Sequence, residues 1–352
     1  MGIELHRAAT DGWVETPDGR IHYIFGFTDV TGVPEKNLAG YRGKAELMAP
    51  PLVLQVGEEY FVTLTSIGTP TRPDLDDPHT IHYHGFPNQI ALYDGVPEAS
   101  VAVPVGRSFV YYYKPLDPGT YMYHCHHEPV EHIQMGMVGP LVVRPADYNP
   151  AHPDYKTAYG HGTGTEYDRE YYMFLNELDC VIHHQVETVQ EPDWTEYRPT
   201  YWLINGRSYP DTVAIDTGGR LRLQPWPALI RANAGEKVLL RFVNLGFEQH
   251  ALMLLGAAFR VIGIDGMRPL GLNGEDLSFY KNIIFIAPGQ SYDAVFTAPQ
   301  ARPGESYPLT LPLYNRNLTK NTTGGTEPGG MITEVQVFAP GGLPPQAEPN
   351  QP

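Results

Sequence analysis

The chain has 352 residues, room for two domains of ordinary size, and its hydrophobic content of 42% is that of a folded globular protein. Only 18% of residues are charged, and 36 glycines with 34 prolines point to many turns and short strands rather than long helices. The net charge of −16 argues against nucleic acid or an anionic membrane surface as a partner; it suits a solvated acidic surface, a cationic substrate or a basic redox partner.

No apolar run reaches transmembrane length, and no secretory leader is visible at Met1–Gly2. Short β-branched and aromatic runs bounded by Gly, Pro and Asp predict strands over 21–27, 51–67, 80–86, 107–115, 119–125 and 137–145. The polar, turn-rich stretch 146–168 breaks the pattern and reads as a linker. Strands resume over 169–178, 200–206, 228–246, 250–255, 259–266, 282–299, 306–314 and 331–340. The Pro-rich 341–352 reads as a disordered tail. No amphipathic helix of three turns is predicted, so the fold class is all-β: two β-sandwich domains in tandem, at 1–145 and 169–340.

The halves repeat each other. "LQVGEEYFVTL" (54–64) parallels "ANAGEKVLLRF" (232–242), "HTIHYHG" (79–85) parallels "HALMLLG" (250–256), and "GMVGPLVV" (136–143) parallels "GMITEVQV" (330–337). One sandwich has been duplicated, and the histidines are concentrated in the first copy.

Those histidines fall in two clusters, "HTIHYHG" and "YMYHCHHEPVEHIQMGM" (121–137). Alternate side chains of a strand face opposite ways, so His82 and His84 share one face. By the same rule His124 and His126 share a face and Cys125 points to the other. Two such strands can converge four imidazoles on one side and leave Cys125 to open a second site behind them. One thiolate, two imidazoles and a weak thioether select copper in its electron-transfer form. Cys125 supplies the thiolate, His79 and His132 the imidazoles, and Met137 the thioether, with Met135 a rival for that last place. Zinc competes for Cys/His sets, but its sites favour close Cys/His pairs at fixed spacing, and the Met-rich "QMGM" favours copper. Of the two cysteines, Cys125 is then a ligand rather than half of a disulfide, and Cys180 reads as a buried thiol.

At "HTIHYHG", "YDGVP" (93–97), "GTYMYHCH" and "HIQMGMVGPLVV" the chain resembles the multicopper oxidases, in particular the two-domain relatives of the laccases. The resemblance implies cupredoxin-like Greek-key domains. It implies type 1 copper on His79, Cys125, His132 and Met137, and places His82, His84, His124 and His126 at a type 2/type 3 cluster. Cys125 would then link the two sites. It further implies that Asp94 and Glu128 relay protons, since reducing dioxygen to water consumes four of them. The donor would be a small molecule, a metal ion or a protein, the assembly a homotrimer, and the compartment periplasmic or extracellular.

The second domain departs from that pattern. Met253 and Leu255 stand where a His-x-His pair belongs, and "YNRN" (314–317) lies about where the other is expected. His250 reads as a packed or capping histidine. In "VIHHQVE" (181–187), read as extended, His183 and His184 face opposite ways, so at most one joins a site. His127 faces away from the cluster, and His161 is a surface residue of the linker. Three functions remain: an oxidase, a type 1 electron carrier or copper-binding protein, and a nitrite reductase-like enzyme.

Overall fold

The computed structural model describes residues 2–215 and 218–351. The first domain is a sandwich of two four-stranded sheets. One runs Ile21–Asp29, Ile3–Glu15, Tyr60–Gly68, Ser108–Tyr113; the other runs Leu52–Gln55, Val138–Arg144, Gly119–His124, His82–His84. The second domain repeats the plan with a six-stranded and a five-stranded sheet. Each sheet carries one parallel pair at the matching place: Ile3–Glu15 with Tyr60–Gly68 and Leu52–Gln55 with Val138–Arg144 in the first domain. Arg169–Leu178 with Lys237–Asn244 and Ile230–Asn233 with Ile332–Phe338 answer them in the second. The duplication read from the sequence is therefore a duplication of topology. Aromatic residues fill the first core, with Tyr23, Tyr83, Tyr111, Tyr113 and Tyr123 fully buried around Cys125.

Several long predicted strands are two strands each. The 51–67 and 228–246 runs break at equivalent turns, where Gly57 and Gly235 take φ of 85° and 92°, a region that favours glycine. The strand Ile3–Glu15 was not expected. Its buried stretch Arg7–Gly12 contains Arg7, Thr10 and Asp11, so it shows no apolar alternation. Residues 180–187 correct the extended reading: Cys180–Glu187 is a helix. Asp179 caps it by accepting from the amides of Val181 and Ile182.

The tail also differs from expectation, because it is packed. Gln346 exchanges two hydrogen bonds with the backbone of Glu170 (2.7 and 3.1 Å), and Asn350 does the same for Tyr172 (2.7 and 3.0 Å). Asn205 continues the series in mixed form: its side-chain oxygen accepts from the Phe174 N–H (2.8 Å) and its own backbone N–H donates to the Phe174 carbonyl (2.7 Å). A primary amide carries one acceptor and two donors, so Gln346 and Asn350, followed by Asn205, mimic a neighbouring strand along Arg169–Leu178. A Pro-rich stretch needs no ladder of its own to be ordered this way.

The two sandwiches meet across a seam that is partly apolar and partly ionic. Leu47, Ile24 and Val14 of the first domain pack on Leu178, Leu203 and Leu223 of the second. Beside them lies a buried network of charges. Arg144 grips Glu170 with two bonds of 2.6 and 2.5 Å, and Arg241 also donates to Glu170. Arg241 reaches on to Thr120 Oγ1 (2.9 Å) and to Asp293 (3.2 Å), whose other oxygen accepts from Tyr159 of the linker (2.6 Å). Burial alone would raise the Glu170 carboxyl, but Arg144 and Arg241 together hold it down to about 2. A carboxyl depressed in the folded state contributes stability above its unfolded pKa and loses it as pH falls toward the folded one. Glu170→Gln should therefore cost about 3–5 kcal/mol at pH 7, because it leaves buried guanidinium charge uncompensated. The gap to wild type should narrow steadily as pH falls below about 4.5. Urea unfolding of both proteins at pH 7, 4 and 3 measures this; a gap under 1 kcal/mol at pH 7, or one that does not narrow, would contradict it.

Candidate metal centre

The His82–His84 strand pairs antiparallel with Gly119–His124, bringing His82 opposite His124. Strand alternation then sorts the donors as the sequence predicts: Tyr83 and Cys125 enter the core, while His82, His84, His124 and His126 gather on the other side.

On the core side, donor atoms of His79, Cys125 and His132 lie within 4.8 Å of one another, and all three residues are buried. His79 is fastened by a two-bond bridge to Val103. His132 rides on the short helix Pro129–Met135 with Nδ1 at 3.2 Å from Cys125 Sγ, and the ring of Phe25 stands edge-on to it. The Met137 carbonyl accepts from the Cys125 amide (3.0 Å) and the Met137 amide donates to the His132 carbonyl (2.9 Å), so Met137 is braced between the two. Met135 is buried in the same core. The donor set fits a copper ion. His79 Nδ1 is buried and has no hydrogen-bond partner, which costs free energy unless something takes its lone pair. Burial pushes His79 down to about 3 and His132 well below the usual range, so both rings are neutral and free to coordinate. Burial also pushes the Cys125 thiol up to about 11; a metal ion is what makes such a sulfur a thiolate.

The second set is open on one side. His82, His84 and His124 hold donor atoms within 4.8 Å, and the His126 ring lies 5.0 Å from His82 and 5.5 Å from His124. His124 donates through Nδ1 to the Cys125 carbonyl (2.8 Å), and His82 through Nδ1 to the Asp94 carbonyl (2.7 Å). Each of these bonds leaves Nε2 as the coordinating atom. The Asp94 carboxylate stands 3.4 Å from the same His82 nitrogen. Glu128 does not join this face. It takes a left-handed backbone (φ 43°, ψ 57°) as the chain enters the helix, and its side chain is grouped with Asp77 and His127 near His132.

The register of the second domain identifies what replaced the other ligands. His250–Leu254 pairs with Leu309–Asn315 so that Met253 lies opposite Tyr314, as His82 lies opposite His124. Met253, Leu255, Tyr314 and Arg316 thus occupy the four positions equivalent to the imidazole face. Behind them, His250, Asn315 and Met331 stand where His79, Cys125 and Met137 stand in the first domain. Asn315 bonds both His250 (3.2 Å) and Met331 (3.4 Å), so an amide fills the place of the thiolate. His250 is buried beside Glu177, as a packed histidine. His184 and His161 are away from both donor sets, bonded to Glu187 and to the Asp154 carbonyl. Cys125 and Cys180 are both free, and Cys180 is only partly buried.

Sequence reasoning missed two contributors. Thr80, wholly buried, donates its backbone N–H to Cys125 Sγ (3.3 Å) and accepts from the His126 amide (2.8 Å), tying the two donor sets together. Its position between His79 and His82 was the only available signal. The second domain's turn at Gly289 also lies close to His84: a Cβ added there would be 3.4 Å from His84 Nε2. Asp265 sits near enough for its charge to oppose the burial that pushes His84 down. Neither could be found without the fold.

Family profiles described as multicopper oxidase match residues 29–147 and 174–329, most of the chain between them. Laccase-1 of Cryptococcus neoformans var. grubii is 25% identical over 247 residues, 66% of this chain and 35% of its own. A copper-containing nitrite reductase of Neisseria meningitidis serogroup A is 35% identical over 196 residues, 54% of this chain and 41% of its own. The chain therefore spans well under half the length of these curated relatives. The blue copper oxidase of Nitrosomonas europaea shares the fold, with a TM-score of 0.72 at 23% identity over 96% of this chain and 86% of that one. Tandem sandwiches, a thiolate-and-imidazole donor set and both profile matches agree: the chain belongs to the multicopper oxidase family.

Proposed function

We propose that this protein is a copper-dependent oxidoreductase that takes electrons from a reductant at the Cys125 site and delivers them to dioxygen at the His82/His84/His124/His126 face. The observation that carries the reading is the two-sided strand end: Cys125 points into one donor set while its neighbours His124 and His126 line the other. In this reading His79, Cys125, His132 and Met137 hold type 1 copper, and the four imidazoles hold further copper. Copper on a thiolate and two imidazoles supplies reversible one-electron transfer. The residues supply the rest. Cys125 is the shortest covalent link between the two sets. Thr80 holds the sulfur and the His126 backbone in fixed relation. Asp94 orients His82 and is placed to hold or pass a proton at Nδ1. A periplasmic or extracellular setting belongs to the same reading.

A second reading, an electron carrier with type 1 copper alone, is favoured by Met253, Leu255, Tyr314 and Arg316 standing in the four positions where the second domain would offer imidazoles. A nitrite reductase-like reading fits His84 and His124, but the second-domain histidine it needs is absent from those same positions.

Replacing Cys125 by Ser should abolish the intense charge-transfer band and electron uptake, since an alkoxide cannot reproduce a thiolate's covalency with copper; a blue band that survives would remove the assignment. Copper counting on wild type and on a His82→Ala, His84→Ala double variant decides between the first two readings. The oxidase reading requires more than one copper per chain in wild type, loss of the excess in the double variant, and dioxygen consumption that the variant lacks. An unchanged count makes the protein a carrier. Because His82, His84 and His126 are only partly buried, a neighbour should cover them, and the resemblance to two-domain multicopper oxidases makes a homotrimer the expected assembly, with the second domain of one copy over the first of the next. A monomer by light scattering at micromolar concentration would contradict this.

A further inference from the structure

The helix Cys180–Glu187 belongs to the second domain but lies against the first, beside the Cys125 donor set. His183 on its inner side is 1% exposed. Its Nδ1 lies 2.6 Å from the carbonyl oxygen of Tyr23, and its Nε2 lies 3.1 Å from the carbonyl oxygen of Gln134. These contacts fall on either side of His132. Tyr23 is two residues before Phe25, the ring that stands edge-on to His132 at 5.3 Å. Gln134 is two residues after His132, on the same short helix. The Gln134 side chain in turn donates to the Glu177 carbonyl (2.9 Å), and Arg72 of the first domain donates to the Val186 carbonyl.

We propose that His183 is a positioning residue for the copper site: by fastening the Tyr23 strand to the Gln134 helix, it fixes where His132 stands relative to Cys125. The proposal rests on the type 1 reading of that site. The fastening does not depend on the ring's charge. A protonated ring donates to both carbonyls. A neutral ring donates to Tyr23 and turns its lone pair toward the Gln134 side-chain amide, 3.5 Å away. Either way one imidazole joins the two segments that flank the ligand. Without it, the buried Tyr23 carbonyl loses its donor and the contact to Gln134 is broken, which leaves the seven-residue helix tied to the second domain by the Gln134 bond to Glu177 and the packing of Ile133. A helix that short has little stability of its own, so its placement follows its tertiary contacts. Thiolate–copper sites set their potential by the placement of the ligands around the sulfur. A shift of the His132 ring should therefore be read electrically before it is read as loss of metal.

The test compares copper-loaded full-length His183→Leu and His183→Gln with wild type and with Ile182→Ala, a buried change on the same helix at a side chain that has no hydrogen bond to offer either carbonyl. His183→Leu should keep one thiolate-bound copper but move its charge-transfer band and change its reduction equilibrium constant about threefold or more, which is about 30 mV for one electron. His183→Gln, which retains a donor for one carbonyl, should move less, and it carries the test alone if the leucine variant does not fold. Ile182→Ala should lose stability without moving either signal. Unchanged band and potential in both His183 variants, or an equal shift in Ile182→Ala, would overturn the positioning role while leaving the copper reading intact. A wild type with no charge-transfer band would sink the copper reading, and this proposal with it.

Discussion

The geometry of both donor sets depends on the buried charges at the seam. Thr120 is the second residue of the strand Gly119–His124, and its hydroxyl is held by Arg241 and Asp293 while its carbonyl accepts from Ser291 (2.6 Å). That strand ends in His124 and runs straight into Cys125, so the second domain grips the root of the element that carries both sites. Buried ion pairs seldom contribute much net stability over an apolar seam of the same volume, because desolvation offsets most of the attraction. What they do supply here is direction. Arg144 and Arg241 each satisfy several fixed acceptors, and one relative placement of the two sandwiches meets them all.

Within that frame the duplicated halves have divided their labour. The same strand register that converges imidazoles in the first domain converges Met253, Leu255, Tyr314 and Arg316 in the second. The copy without the imidazoles has no hole in their place. Asn315 bridges His250 and Met331 where a metal ion would otherwise be needed to satisfy the same pocket. The second domain has turned instead to support: it provides the Gly289 turn against His84, the Asp293 carboxylate behind Thr120 and the helix that carries His183.

What was legible in the sequence follows from how local the governing rule is. Strand alternation acts between neighbours, so the opposed faces of Cys125 and its flanking histidines could be read directly, and ligand chemistry then named the metal. Most strands were legible for the same reason. The strand Ile3–Glu15 was not, because its burial comes from pairing on both edges, with polar residues such as Asp11 satisfied by distant partners. Residues 181–187 lacked a visible period, and the Asp179 cap that makes them helical is a single side chain. The part His183 plays is set by Tyr23, 160 residues away, and no spacing rule reaches that far.

The amide series along the Arg169–Leu178 strand has a bearing on solubility. An exposed strand edge with free N–H and C=O groups invites another chain to pair with it. Here Gln346, Asn350 and Asn205 occupy that edge from Glu170 to Phe174. Two of those three amides belong to the last stretch of the chain. Proteolytic trimming behind Pro340 would leave the residues of both cores in the chain, yet it would uncover the edge at Glu170 and Tyr172. An uncovered edge of that kind is a route to self-association that leaves the two donor sets untouched.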